Sequence, residues 1–226
     1  IDRSALPDLS LNYIKRMTDD TGIFQHAKYG IPNRNEGYCI DDNSRALITA
    51  LMAYKETASI ESLEMIPVYM SYIHHMHLEN GNFRNFLSFD RRFLDEEGSD
   101  DSFGRTIWSL GFLVNNAPNK HYADFGRQLF QDSIQHFSKL THIRGIANTI
   151  IGITYFLRSC PGDERVNSEL NNLINKLVAS YQSASDSNWH WFENHLTYDN
   201  GILPLALYHA AEITEDDQLV TIADEA

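Results

Sequence analysis

The sequence predicts an all-α fold, an (α/α) toroid of antiparallel helical hairpins, and three observations lead there. Apolar residues recur at helical spacing along nearly the whole chain, and no segment keeps the strict alternation of a sustained strand. A polar signature followed by an apolar run returns at intervals of about 43 to 60 residues, the length of a hairpin plus a loop. Helices of small apolar residues alternate with amphipathic ones, which suggests an inner layer packed on several sides and an outer layer with one wet face.

The elements follow in order. A first helix is expected over 9–17, then a Gly- and Asn-rich loop to Gly37. A second helix starts near Asp42, with Ala46, Leu47, Ala50, Leu51 and Tyr54 on one face. A third runs from Ser59 to about His77, and Pro67 predicts a kink or a later start. The long connection 79–99 holds a short hairpin or extended piece at 82–89. Further helices are expected over 102–115, 120–140, 144–159 and 163–181. A loop over 183–198 leads into a helix at 199–213, and a last helix begins near Glu215. No linker divides the chain, so residues 1–226 form one domain. About four to five of six hairpins are expected, with the C-terminal part of the ring missing.

Composition excludes several function classes. The 31 acidic and 18 basic residues give a net charge of −13, a field that repels nucleic acid. No apolar run is long enough to span a membrane. Cys39 and Cys160 make no metal signature and are expected as free thiols in a reducing, cytoplasmic compartment. The chain starts at Ile1 rather than Met, which leaves room for a leader or an upstream domain. His74, His75 and His77 lack a zinc-binding pattern, and no metal or cofactor is expected.

The helix starts carry the chemistry. The signatures are Asp41-Asp42-Asn43-Ser44-Arg45, Asp100-Asp101-Ser102-Phe103-Gly104-Arg105, the weaker Arg144-Gly145-Ile146-Ala147-Asn148, and Asp199-Asn200-Gly201. An acid there can cap its helix or complement the dipole. One acid suffices for that, so the adjacent Asp pairs point to a second carboxylate with another use. In a toroid the inner-helix starts converge on one end, where Asp42 and Asp101 could act as acid and base on a glycosidic bond, with Glu193 or Asp199 as substitutes. Arg45 and Arg105, one turn in, could orient carboxylates, bond sugar hydroxyls or each satisfy a neighbouring Asp, and Asp41 and Asp100 are expected with them among the substrate-binding residues. Trp189 and Trp191 beside Glu193 could stack on a sugar or tuck under the rim. His26, Arg34 and Tyr38 form a further polar-aromatic cluster, and Asn200 adds an amide.

Three segments carry a resemblance: Gly37 to Leu47, Asp100 to Gly111, and Trp191 to Gly201. They resemble signatures of a bacterial family of (α/α)-toroid proteins similar to the six-hairpin glycosidase superfamily. The likeness covers nearly the whole chain. It implies an (α/α)6 barrel with its cleft at the inner-helix N-termini, and an oligosaccharide or sugar as the partner. In many relatives the domain lies beside, or is fused to, a glycosyltransferase, which makes such a domain a possible partner. The leading expectation is a glycoside hydrolase. The alternative is a non-catalytic sugar-binding domain serving a glycosyltransferase. An isomerase or epimerase is a third reading, but it usually wants a histidine pair in the cleft, and none is well placed in the sequence.

Overall fold

The computed structural model describes residues 9–226. Among these, helix α1 (Asn12–Met17) precedes four antiparallel hairpins: α2 (Ile40–Thr57) with α3 (Ile60–Met76), α4 (Asp100–Asn116) with α5 (Lys120–Ser133), α6 (Ile143–Ser159) with α7 (Glu164–Ala184), and α8 (Ile202–Thr214) with α9 (Asp217–Glu225). Helices α2, α4, α6 and α8 pack side by side, and each carries its hairpin partner on the outside. Burial separates the layers: 13 of the 17 residues of α6 are buried, against 6 of the 21 in α7. Each hairpin reverses the chain twice, so the inner helices run parallel and start at the same end.

Several expectations change in detail. Helix α3 runs through Pro67 without stopping, forgoing one backbone hydrogen bond inside a helix that its apolar face holds in place. The segment expected as one helix over 120–140 ends as α-helix at Ser133 and tightens into a 3-10 helix over Ile134–Lys139. The loop before α2 contains a small hairpin, β1 (Ala27–Lys28) against β2 (Ile31–Pro32), turned by Tyr29 and Gly30 at positive φ. The entrance to α2 is fixed by β3 (Tyr38–Cys39) pairing with β4 (Phe86–Leu87), part of the extended piece expected at 82–89.

Inner helices α4 and α6 meet backbone to backbone. A Cβ at Gly104 would run into the carbonyl oxygen of Gly145, and one at Gly111 into that of Gly152. Both pairs are separated by seven residues, two helical turns, so the close approach persists along the contact. Gly111→Ala is expected to lower stability by about 1–3 kcal/mol through overpacking. Gly162→Ala, whose added carbon meets nothing within 4 Å, should stay within about 0.5 kcal/mol. Urea unfolding of the two variants checks this, and equal stability would contradict the backbone contact.

Candidate functional site

The Asp pairs at the helix starts do not cap their helices. Cys39 caps α2, its sulfur accepting from the Asp42 amide, and Ser99 caps α4, its hydroxyl accepting from the Ser102 amide. The carboxylates sit within the first turns, favoured by the positive end of the dipole and free to reach other elements.

Asp41, Arg45, Arg105 and Asp199 form one lattice. Arg45 donates from Nε to Asp41 Oδ1 at 3.1 Å and from its terminal nitrogen to Asp41 Oδ2. Arg105 Nε lies 2.9 Å from the same Asp41 Oδ1, an ion pair without hydrogen-bond alignment, while its terminal nitrogen donates to Asp199. Arg105 thus ties α2 to the segment before α8 from its place on α4, with only 11% of its side chain exposed.

Beside this lattice, Arg144 opens α6 from a buried position. It donates to both oxygens of Glu193 at 3.1 and 2.7 Å, to Thr197, to the Tyr198 carbonyl, and at 3.4 Å to Asn200. The Tyr198 ring lies 4.5 Å from the guanidinium carbon. The Tyr198 hydroxyl donates to Asp101 Oδ2 at 3.0 Å, and the Asn148 amide approaches Asp101 Oδ1 at 3.4 Å. Burial and the Asp101 charge both raise the Tyr198 phenol above its ordinary value, which keeps it a donor. Among the described residues, no lysine or arginine forms an ion pair with Asp101, in contrast to Asp41, Asp199 and Glu193.

Other residues singled out in the sequence lie elsewhere. Asp42 accepts from the Cys39 thiol at 3.1 Å and lines an adjoining cleft of about 320 Å³ with His26 and Arg45. Burial, with Asp42 beside it, holds that thiol protonated. Both cysteines are free. Asp100 turns away from the cluster: one of its oxygens accepts from the amides of Thr141 and His142 at 2.8 and 2.9 Å and pins the entrance to α6. Tyr38 is buried, its hydroxyl donating to Asp19 at 2.7 Å, so it offers a ligand nothing. Trp191 is no open platform, because it packs edge-on against Phe192 within the core. Trp189 is half-buried and donates its indole N–H to the Glu193 carbonyl. Arg34 is exposed and stacks over Phe24 and Phe89. His74, His75 and His77 each pack on a phenylalanine.

Sequence reasoning missed Arg144, Asn148 and Tyr198 as members of the cluster. The signal for Arg144 was legible: it is a lone cation opening the apolar run of α6, and a buried cation needs a partner.

Neither a family model nor a curated protein matches the sequence. Solved structures do. A sugar epimerase from a ruminal bacterium superposes with a TM-score of 0.73 at 15% identity, over 95% of this chain and 66% of that one. Cellobiose 2-epimerase from Bacillus thermoamylovorans B4167 gives 0.75 at 12% identity, over 95% and 67%. A D-mannose isomerase gives 0.70 at 12% identity, over 94% and 64%. At such identities the likeness establishes the fold alone, an (α/α) toroid. The chain spans about two thirds of the length of the structures it matches.

The Arg144–Glu193 pair yields a pH dependence. The hydrogen bond from Arg144 lowers the Glu193 carboxyl below its ordinary value, against an opposing effect of burial. A lowered folded-state value means the stabilisation is complete above the ordinary carboxylate range and is lost as pH falls through the lowered value. Glu193→Gln is expected to lower stability by on the order of 2 kcal/mol at neutral pH. In urea unfolding the gap between variant and wild type should hold above the ordinary carboxylate range and narrow as pH falls through the lowered Glu193 value; a gap that does not change with pH would exclude the ion pair as its source.

Proposed function

We propose that the chain is part of a carbohydrate-active enzyme domain in which Asp101 transfers the proton. The observation that carries this reading is the difference among the clustered acids. Asp41, Asp199 and Glu193 are neutralised by arginine, while Asp101 meets only the neutral donors Tyr198 and Asn148. A carboxylate oriented by neutral groups can gain and lose a proton without breaking an ion pair. The arginine-bound acids suit a different task, accepting hydrogen bonds from sugar hydroxyls.

Two chemistries fit such a group. In glycoside hydrolysis a carboxylic acid protonates the departing oxygen while a second carboxylate activates water or attacks the anomeric carbon, with Asp42 as the candidate second group, reached from the adjoining cleft that it lines with Arg45. The density of acids at the helix starts favours this reading. In isomerisation or epimerisation a base removes the proton beside the carbonyl of an open-chain sugar, and the proton returns to the neighbouring carbon or to the opposite face. The three structural neighbours, two sugar epimerases and a mannose isomerase, favour this second reading. An accessory sugar-binding domain of a glycosyltransferase would instead bind without turnover.

Proton NMR of the full-length protein with oligosaccharides and free aldoses in D2O separates the three. Hydrolysis generates new reducing ends; isomerisation or epimerisation exchanges hydrogen beside the carbonyl. Asp101→Asn should lower either rate by about 10²–10⁴-fold. Absence of both signals from the wild type would end the enzymatic reading, and binding without turnover would leave the accessory one.

A further inference from the structure

Arg144 is the one charged side chain in the buried set of the described residues. Every hydrogen-bond partner of its guanidinium lies between Glu193 and Asn200. That segment contains no helix, and residues 194–199 are exposed. It nevertheless sends two groups to α4, the Tyr198 hydroxyl to Asp101 and the Asp199 carboxylate to Arg105. An exposed, irregular segment has little packing of its own to hold such contacts.

We propose that Arg144 is a positioning residue of the site: from the first turn of α6 it holds 193–200 so that Tyr198 orients the Asp101 carboxylate. The proposal rests on the reading of Asp101 as the proton-transfer group. The geometry is directional in a way that burial alone would not require. The planar fork takes both Glu193 oxygens and the Thr197 hydroxyl, the Nε–H takes the Tyr198 carbonyl, and the guanidinium face carries the Tyr198 ring. Backbone and ring of Tyr198 are therefore held by one side chain, and its hydroxyl is left pointing to Asp101. Tyr198 is half-exposed, and beyond these contacts its ring meets, among the described residues, only the stacked His142 ring, 6.3 Å away between centroids.

The test uses Arg144→Lys, which keeps the charge and loses the fork, Tyr198→Phe, which removes only the hydroxyl, and the double variant, all in the full-length protein. In Arg144→Lys the amides of 193–200 should exchange with solvent at least about tenfold faster, with α2 and α3 unchanged. With sugar substrate, each single variant should lose on the order of 100-fold in kcat, with KM moving less than about threefold. The double variant should be no slower than the worse single one, because both changes break the same link. Unchanged exchange in 193–200, multiplied kcat losses, or full activity of Tyr198→Phe would each overturn the proposal. Should Arg144→Lys not fold, Tyr198→Phe still decides the kinetic question. A wild type that turns over no sugar overturns the reading of Asp101 and the catalytic half of the proposal with it, whereas the exchange measurement needs no substrate and isolates a failure of Arg144 to hold the segment.

Discussion

Backbone contact between α4 and α6 is the constraint on which the rest of the site depends. Two levels of facing glycines allow it, Gly104 with Gly145 and Gly111 with Gly152. No larger residue at these levels would let the helices approach this closely, because a side chain would occupy the space of the opposite carbonyl. The closeness brings the start of α4 beside the start of α6. Asp100 then reaches the amides before α6, and Asp101 reaches Asn148. Arg105 and Arg144 emerge side by side from neighbouring helices and address the same segment between Glu193 and Asn200.

Charge at this end is organised by pairing. The chain carries a net charge of −13, yet three arginines at the helix starts are each matched to a carboxylate. A buried cation without a partner would be strongly destabilising, so Arg144 dictates the position of Glu193. The same logic removes Glu193 from service as a proton donor near neutral pH, since its carboxyl is held ionised. Acids that look alike in the sequence thus part company: Asp100 fastens a neighbouring loop, Asp41 and Asp199 share a guanidinium, and Asp101 takes its hydrogen bonds from the neutral donors Tyr198 and Asn148.

The segment 185–200 turns its residues by type. Trp191 and Phe192 enter the core, where Phe192 packs between Trp191 and Tyr181, while the polar residues that follow fold over the starts of α4 and α6. Aromatic residues in a loop next to acids suggested a stacking surface. Their packing inward instead gives the segment a hydrophobic anchor at one end, with the Arg144 fork at the other.

Local pattern determined the all-α class, the alternation of inner and outer helices, and the acid-rich starts of α2 and α4, because helical periodicity and helix-start chemistry depend on neighbours within a turn or two. The end of α5 and the small hairpin at 27–32 escaped that pattern, being short and decided by packing and turn geometry. Only the tertiary structure decided which acid does what. The partners that distinguish them lie far apart in sequence, Asp101 and Tyr198 by 97 residues and Arg144 and Glu193 by 49. Local rules rank Ser and Asp alike as caps and do not favour Cys, so they could not decide that Cys39 and Ser99, rather than the aspartates, cap the helices and free those carboxylates for contacts with other elements.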